Sequence, residues 1–184
     1  DILRDKNSAL HTWVTSTSWS NMDAEFIFEI KSNIYSSKVN SIIPWACIQR
    51  PKEWIGGDPN PGTAFRVFED GSYEIMPGYY FYKQVSRAGQ PGMSVVRVNS
   101  NDSEVGVIGF SGKNTNNPDS FIIINISDEE KKCNINIKNS VSNNYKAVVT
   151  SKKNKYKIIG NFKLKNEKID YHSPPSSVTT FFAQ

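Results

Sequence analysis

Tyr79-Tyr80-Phe81-Tyr82-Lys83-Gln84-Val85-Ser86-Arg87-Ala88-Gly89-Gln90-Pro91-Gly92-Met93-Ser94-Val95-Val96-Arg97-Val98 is the stretch in which the chain changes its period. Introduced by Pro77-Gly78, Tyr79–Arg87 reads as a short helix that Gly89 ends. From Met93 onward the apolar residues recur every second position, the period of a half-buried strand. All four Trp lie on the near side of this change, Trp13, Trp19, Trp45 and Trp54. The far side holds short β-branched runs separated by Asn, Ser, Lys and Gly. The reading therefore divides the chain into residues 1–92 and 93–184.

Working back from that boundary, strand and helix alternate. Ala9–Thr15 is β-prone. Ser20 with Asp23 three residues on resembles a capping box and predicts a helix start. Met22, Phe26, Ile27, Ile30 and Ile34 then form one apolar helical stripe, and Val39–Ile48 is strand-like again. Helix-linked strands of this kind predict a parallel βαβ unit. A loop over Arg50–Gly62 follows, then a hairpin in which Phe65–Phe68 and Tyr73–Met76 flank Asp70-Gly71. A parallel sheet needs both faces covered, and two strands with one or two helices do not supply that cover. The first 90 or so residues therefore read as the end of a larger α/β domain.

Working forward, the expected strands are Ser94–Val98, Glu104–Phe110, Phe121–Ile126, Cys133–Lys138, Tyr145–Thr150, Tyr156–Lys163 and Val178–Phe182. Short alternating strands separated by Asn- and Lys-rich turns argue for an antiparallel β-sandwich. The fold class expected for the whole is thus α/β plus all-β.

Composition bounds the function. The chain has 184 residues, 38% of them hydrophobic and 22% charged, enough to bury a core. No apolar run approaches the ~20 residues of a membrane span. Two Cys exclude a disulfide-dense scaffold, and two His argue against a His-built metal site. Cys47 and Cys133 read as small buried hydrophobes, and His11 and His172 as structural or exposed. The net charge of +4 divides unevenly, with residues 1–95 at −1 and residues 96–184 at +5. The excess is scattered Lys beside strand-like runs, a pattern of solvated edges more than of a phosphate-tracking groove. No nucleic-acid partner, cofactor or metal is expected. The sequons Asn101-Asp102-Ser103 and Asn125-Ile126-Ser127 matter only in a glycosylating host. The chain opens on Asp1 rather than Met, so its numbering is expected to start at a processing site or a fragment edge.

Several stretches, in order, resemble the carboxy-terminal part of glycoside hydrolase family 30, which includes glucosylceramidases, xylanases and β-1,6-glycanases. Thr12-Trp13-Val14-Thr15-Ser16 is similar to the family's seventh barrel strand and Ile42-Ile43-Pro44-Trp45 to the eighth. Trp54-Ile55-Gly56-Gly57-Asp58-Pro59 resembles the Gly-rich loop that follows, and Tyr79–Gly92 the last helix and its exit. Pro175–Phe181 resembles the closing strand. The resemblance implies the last βα units of a (β/α)8 barrel over 1–92 and a β-sandwich over 93–184.

It also implies chemistry. In the family two carboxylates act by retention, an acid/base after the fourth barrel strand and a nucleophile at the end of the seventh. The fourth strand lies outside this sequence. The nucleophile position falls on Ser16, and no Asp or Glu occurs between Lys6 and Met22. A serine without an activating base does not form the usual glycosyl ester. The substrate implied is a β-linked glycan. Trp45, closing the eighth strand, stands where the family places an aromatic platform under the sugar, the alternative being a core Trp. Trp19 and Trp54 either stack on sugar subsites or cover the barrel rim, while Trp13, in mid-strand, is expected in the core. Gln49, Arg50 and Glu53 are candidates for sugar hydroxyls, and Glu53 is the one carboxylate close after the eighth strand. The partner implied is the missing amino-terminal barrel half or a second copy, and the location implied is secreted or cell-surface. A non-catalytic module binding carbohydrate or protein is the competing class.

Overall fold

The computed structural model describes residues 6–7, 9–49 and 62–184, and shows mostly β-sheet with two helices. β1 (Trp13–Ser18) and β2 (Ser41–Trp45) pair in parallel, joined by α1 (Ala24–Tyr35). α1 forms where the apolar stripe predicts it, burying Ala24, Ile27 and Ile30. Its N-cap is Asp23 and not Ser20: the Asp23 carboxylate accepts from the Phe26 N–H at 3.0 Å. The residues before it form a turn instead, in which the Met22 N–H bonds the Trp19 carbonyl at 3.2 Å. β1 starts later than the composition suggests, because pairing begins only at Trp13 opposite Ser41.

β3 (Ile48–Gln49), β4 (Phe65–Val67) and β5 (Tyr73–Ile75) form a small sheet, its hairpin turning at Gly71 with φ +83°. α2 (Pro77–Ala88) follows, with Pro in its first turn and Gly78, Phe81, Gln84, Val85 and Ala88 buried at helical spacing. Glycine is required at 78 because a Cβ there would lie 2.7 Å from the Trp19 carbonyl oxygen.

Eight antiparallel strands complete the chain: β6 (Ser94–Val95), β7 (Val105–Ser111), β8 (Ser120–Asn125), β9 (Lys131–Asn136), β10 (Asn144–Thr150), β11 (Lys157–Lys163), β12 (Lys168–Ser173) and β13 (Ser177–Ala183). β12 was not among the expected strands, although Ile169 and Tyr171 alternate with Lys168, Asp170 and His172. Six strands make one sheet in the order β11-β10-β13-β8-β7-β6, and β12 pairs with β9 separately. One face of the large sheet packs on the helices through Ile108, Ile122, Ile124 and Val178. The other packs on β9 and β12 through Phe121, Ile123, Tyr145 and Phe181 against Ile169 and Tyr171. β8, buried along its whole length, therefore reads as an unbroken apolar run. Asn125 at its end is fully buried and its amide donates to the carbonyls of Glu129, Ser173 and Pro174, so that sequon is closed to modification.

α2 is fixed by a buried polar knot. Gln84 Nε2 donates to Thr150 Oγ1 at 2.8 Å, and Thr180 Oγ1 donates to Gln84 Oε1 at 2.5 Å. Gln84→Leu keeps the bulk but removes the amide from both hydroxyls, leaving Thr150 its bonds to Tyr80 and Tyr156 and Thr180 its bond to the Gln84 backbone carbonyl, and is expected to cost about 1 kcal/mol, read as a lower denaturant midpoint. The buried Tyr171 phenol bonds Thr179 Oγ1 at 2.6 Å, and burial pushes its pKa up to about 12. Because the folded value exceeds the unfolded one of about 10, this stabilisation is complete below pH ~10 and is lost as pH rises through ~12. Tyr171→Phe is expected to flatten the alkaline limb of the stability–pH curve; an unchanged limb would refute the assignment.

Candidate functional site

The candidate site lies at the carboxy-terminal ends of β1 and β2. Their register runs Trp13–Ser41, Val14–Ile42 and Thr15–Ile43, then slips, so that Thr17 meets Pro44 and Ser18 meets Trp45. Ser16 is the extra residue, a bulge with φ +63°. A one-residue slip exchanges the two faces of a strand. Beyond the bulge it is Ser18 that lies across from Trp45, while Thr17 takes the opposite parity. Trp13, Ile43 and Trp45 are 62%, 44% and 55% exposed, so one face of the pair is open. The other face packs inward: Ile42 lies against the helical core, and its carbonyl accepts from the Tyr82 hydroxyl at 2.5 Å. Ser18 and Ser20 hydroxyls stand 2.7 Å apart at the strand end. The Trp45–Ala46 peptide bond is cis.

The predicted residues separate in this frame. Ser16 is exposed in the bulge, two residues short of the strand end, and Trp45 is exposed at the end of β2. Trp19 is buried, its ring edge-on to Tyr82 at 5.4 Å. Trp13 corrects the expectation of a core residue: it falls on the open face because its partner is Ser41, whereas Val14 takes the inward position. Gln49 lies in β3, whose backbone pairs with β4. Arg50, Glu53 and Trp54 lie outside the described residues. Asp23, the first carboxylate after β1, is engaged in capping α1. The part played by Ser18 was not legible in the sequence, since only the bulge brings it opposite Trp45. Two buried polar atoms beneath the open face, Thr17 Oγ1 and Trp19 Nε1, have no hydrogen-bond partner among the described residues. Among the described residues no group of three or more His, Cys, Asp and Glu is placed to hold a metal, and no helix is long and apolar enough to cross a membrane.

The same architecture recurs in part of several solved glycoside hydrolase structures. A family 30 endoxylanase from Clostridium papyrosolvens matches with a TM-score of 0.78 at 18% identity, over 100% of this chain and 44% of that one. A family 30 subfamily 8 xylanase from Clostridium acetobutylicum matches with a TM-score of 0.78 at 24% identity, over 97% of this chain and 44% of that one. An endo-β-1,6-glucanase gives a TM-score of 0.63 at 14% identity, over 100% of this chain and 37% of that one. The fold is thus that of part of a family 30 glycoside hydrolase, as the sequence resemblance implied, and the chain spans less than half the length of these structures. No family model and no curated protein matches the sequence.

The two thiols differ in accessibility. Cys47, expected in the core, is exposed just past β2, its carbonyl accepting from Thr63 Oγ1 at 3.0 Å. Cys133 is half-buried in β9, and burial raises its pKa. A thiol-reactive disulfide reagent is expected to titrate one fast and one slow thiol, with Cys47→Ser removing the fast phase. Equal rates would contradict this placement.

Proposed function

We propose that this chain is the carboxy-terminal part of a glycoside hydrolase acting on β-linked glycans. In this reading residues 1–92 supply the last βα units of a (β/α)8 barrel, with β1 and β2 as its seventh and eighth strands, and residues 93–184 form a β-sandwich. The observation that carries the reading is the parallel β1–β2 pair, bridged by α1, whose open face ends at an exposed Trp45. Full coverage by family 30 xylanase structures supports it. Ligands of such barrels gather at the carboxy-terminal strand ends. There Trp45 offers an indole face to a pyranose, with Trp54, Gln49 and Arg50 following it in the chain. Trp19 supports the site from beneath. The exposed Trp13 and Ile43, set back along the strands from Trp45, form the surface that the rest of the barrel, or failing that a second copy, covers. A secreted or cell-surface location follows from the substrate class, and one related fold is that of an exported protein from Bacteroides fragilis.

This chain alone lacks both carboxylates of a retaining hydrolase at their expected places. The acid/base strand lies outside it, and neither Ser16 nor Ser18 carries a carboxylate. That favours a non-catalytic, glycan-binding role for the isolated chain. Aryl β-glycosides, whose good leaving groups reduce the need for acid catalysis, are expected to give no sustained release. Xylo-oligosaccharides or β-1,6-gluco-oligosaccharides are expected to bind weakly, with Trp45→Ala reducing affinity about tenfold. Release of aryl alcohol abolished by Glu53→Gln would overturn this reading and place the nucleophile in the loop after β2.

A further inference from the structure

Far along the chain from β1 and β2, the β11–β12 connection opens a groove of about 630 Å³, within the range of small-ligand sites. Its frame is rigid. Lys165 and Lys168 close a two-residue turn with backbone bonds of 2.9 and 3.0 Å, Asn166 and Glu167 both taking positive φ as a type I′ turn requires. Past that turn the strands part, β11 to the edge of the large sheet and β12 to the small one. Neither has a strand partner on the groove side.

The groove holds two kinds of polar group. Lys163, Lys165 and Lys168 supply three ammoniums, and among the described residues none of them forms an ion pair. Asn161, Asn166 and Asp170 supply amide and carboxylate groups, Asp170 being oriented by Asn134 Nδ2 at 2.7 Å. Phe162 forms the apolar wall, its ring held edge-on by Tyr171 at 5.7 Å and Phe181 at 5.3 Å.

We propose that this groove is a binding site for an acidic saccharide, a sugar ring carrying a carboxylate. The ligand must satisfy both sets of groups. Three ammoniums without an ion pair among the described residues select an anion, and the Asp170 carboxylate beside them accepts from the hydroxyls that a sugar ring carries. Planar amides accept from and donate to neighbouring hydroxyls, and an aromatic wall meets the C–H face of a ring. A uronic acid offers anion, hydroxyls and C–H face together. The groove's own side chains make this site, whatever the rest of the barrel does.

The test is isothermal titration of the 184-residue chain with trigalacturonate and with its methyl ester. The acid is expected to bind at least tenfold more tightly, and less tightly as salt rises, since these ammoniums are exposed. Lys163→Ser with Lys168→Ser is expected to reduce binding at least tenfold, and Lys165→Ser alone to weaken it while leaving the turn's backbone bonds. Lys152→Ser, outside the groove, is expected to change nothing. Equal binding of the methyl ester, equal binding of inorganic phosphate or single-stranded DNA, or no effect of Lys165→Ser would each overturn the proposal. Trp45→Ala, silent here, separates this site from the β1–β2 end.

Discussion

Gln84 is the residue on which the arrangement of helix and sheet depends. A fully buried amide is tolerated only when its donors and acceptors are matched, and here each end of the amide meets a hydroxyl from a different strand. Thr150 of β10 and Thr180 of β13 are adjacent strands' contributions, so the knot fixes both the height and the rotation of α2 over the sheet. Thr150 Oγ1 also donates to the Tyr80 carbonyl at 3.2 Å and accepts from the Tyr156 N–H at 3.3 Å. Apolar contacts alone would let the helix slide. Hydrogen bonds with fixed partners do not.

With α2 fixed, the remainder of the amino-terminal elements is placed through it. Tyr82 reaches the Ile42 carbonyl of β2, and Gly78 admits the Trp19–Met22 turn against the helix. α1 is tied to the sheet independently: the Tyr35 hydroxyl donates to the Val96 carbonyl and accepts from the Gly109 N–H, each at 3.0 Å. β13 and β8 serve both cores at once. Val178, Ile122 and Ile124 face the helices, while Phe181, Phe121 and Ile123 face β9 and β12, with Phe121 and Phe181 stacked at 4.6 Å. Burying such side chains contributes about 1.5–3 kcal/mol each, so this double-sided sheet is the main source of stability.

Much of this was legible in the sequence wherever periodicity and burial agree. The stripe Met22, Ile27, Ile30 predicts α1, and Phe121–Ile126 is legible as a strand, its burial on both faces emerging only from the packing of two layers against it. β12 was overlooked because Lys168, Asp170 and His172 dominate its composition, although its two-residue alternation is unbroken. Trp13 and Cys47 were misplaced for a common reason. Hydrophobic character predicts burial only when a covering layer exists, and the outer face of β1 and β2 has none among the described residues. The helix cap was shifted by three residues because Ser20 and Asp23 are both good caps, and only the Trp19–Met22 turn decides between them.

The bulge at Ser16 is the feature of the site that no sequence pattern announces. A left-handed conformation usually marks itself by Gly or Asn, but here a serine adopts it inside a paired strand. Its effect is geometric. Without the slip, Thr17 would stand opposite Trp45 and Ser18 would follow it beyond the strand; with it, Thr17 takes the inward parity. There its hydroxyl is buried and, like the Trp19 indole N–H, has no hydrogen-bond partner among the described residues. The bulge therefore decides which hydroxyl shares the open face with Trp45, Ser18 in place of Thr17.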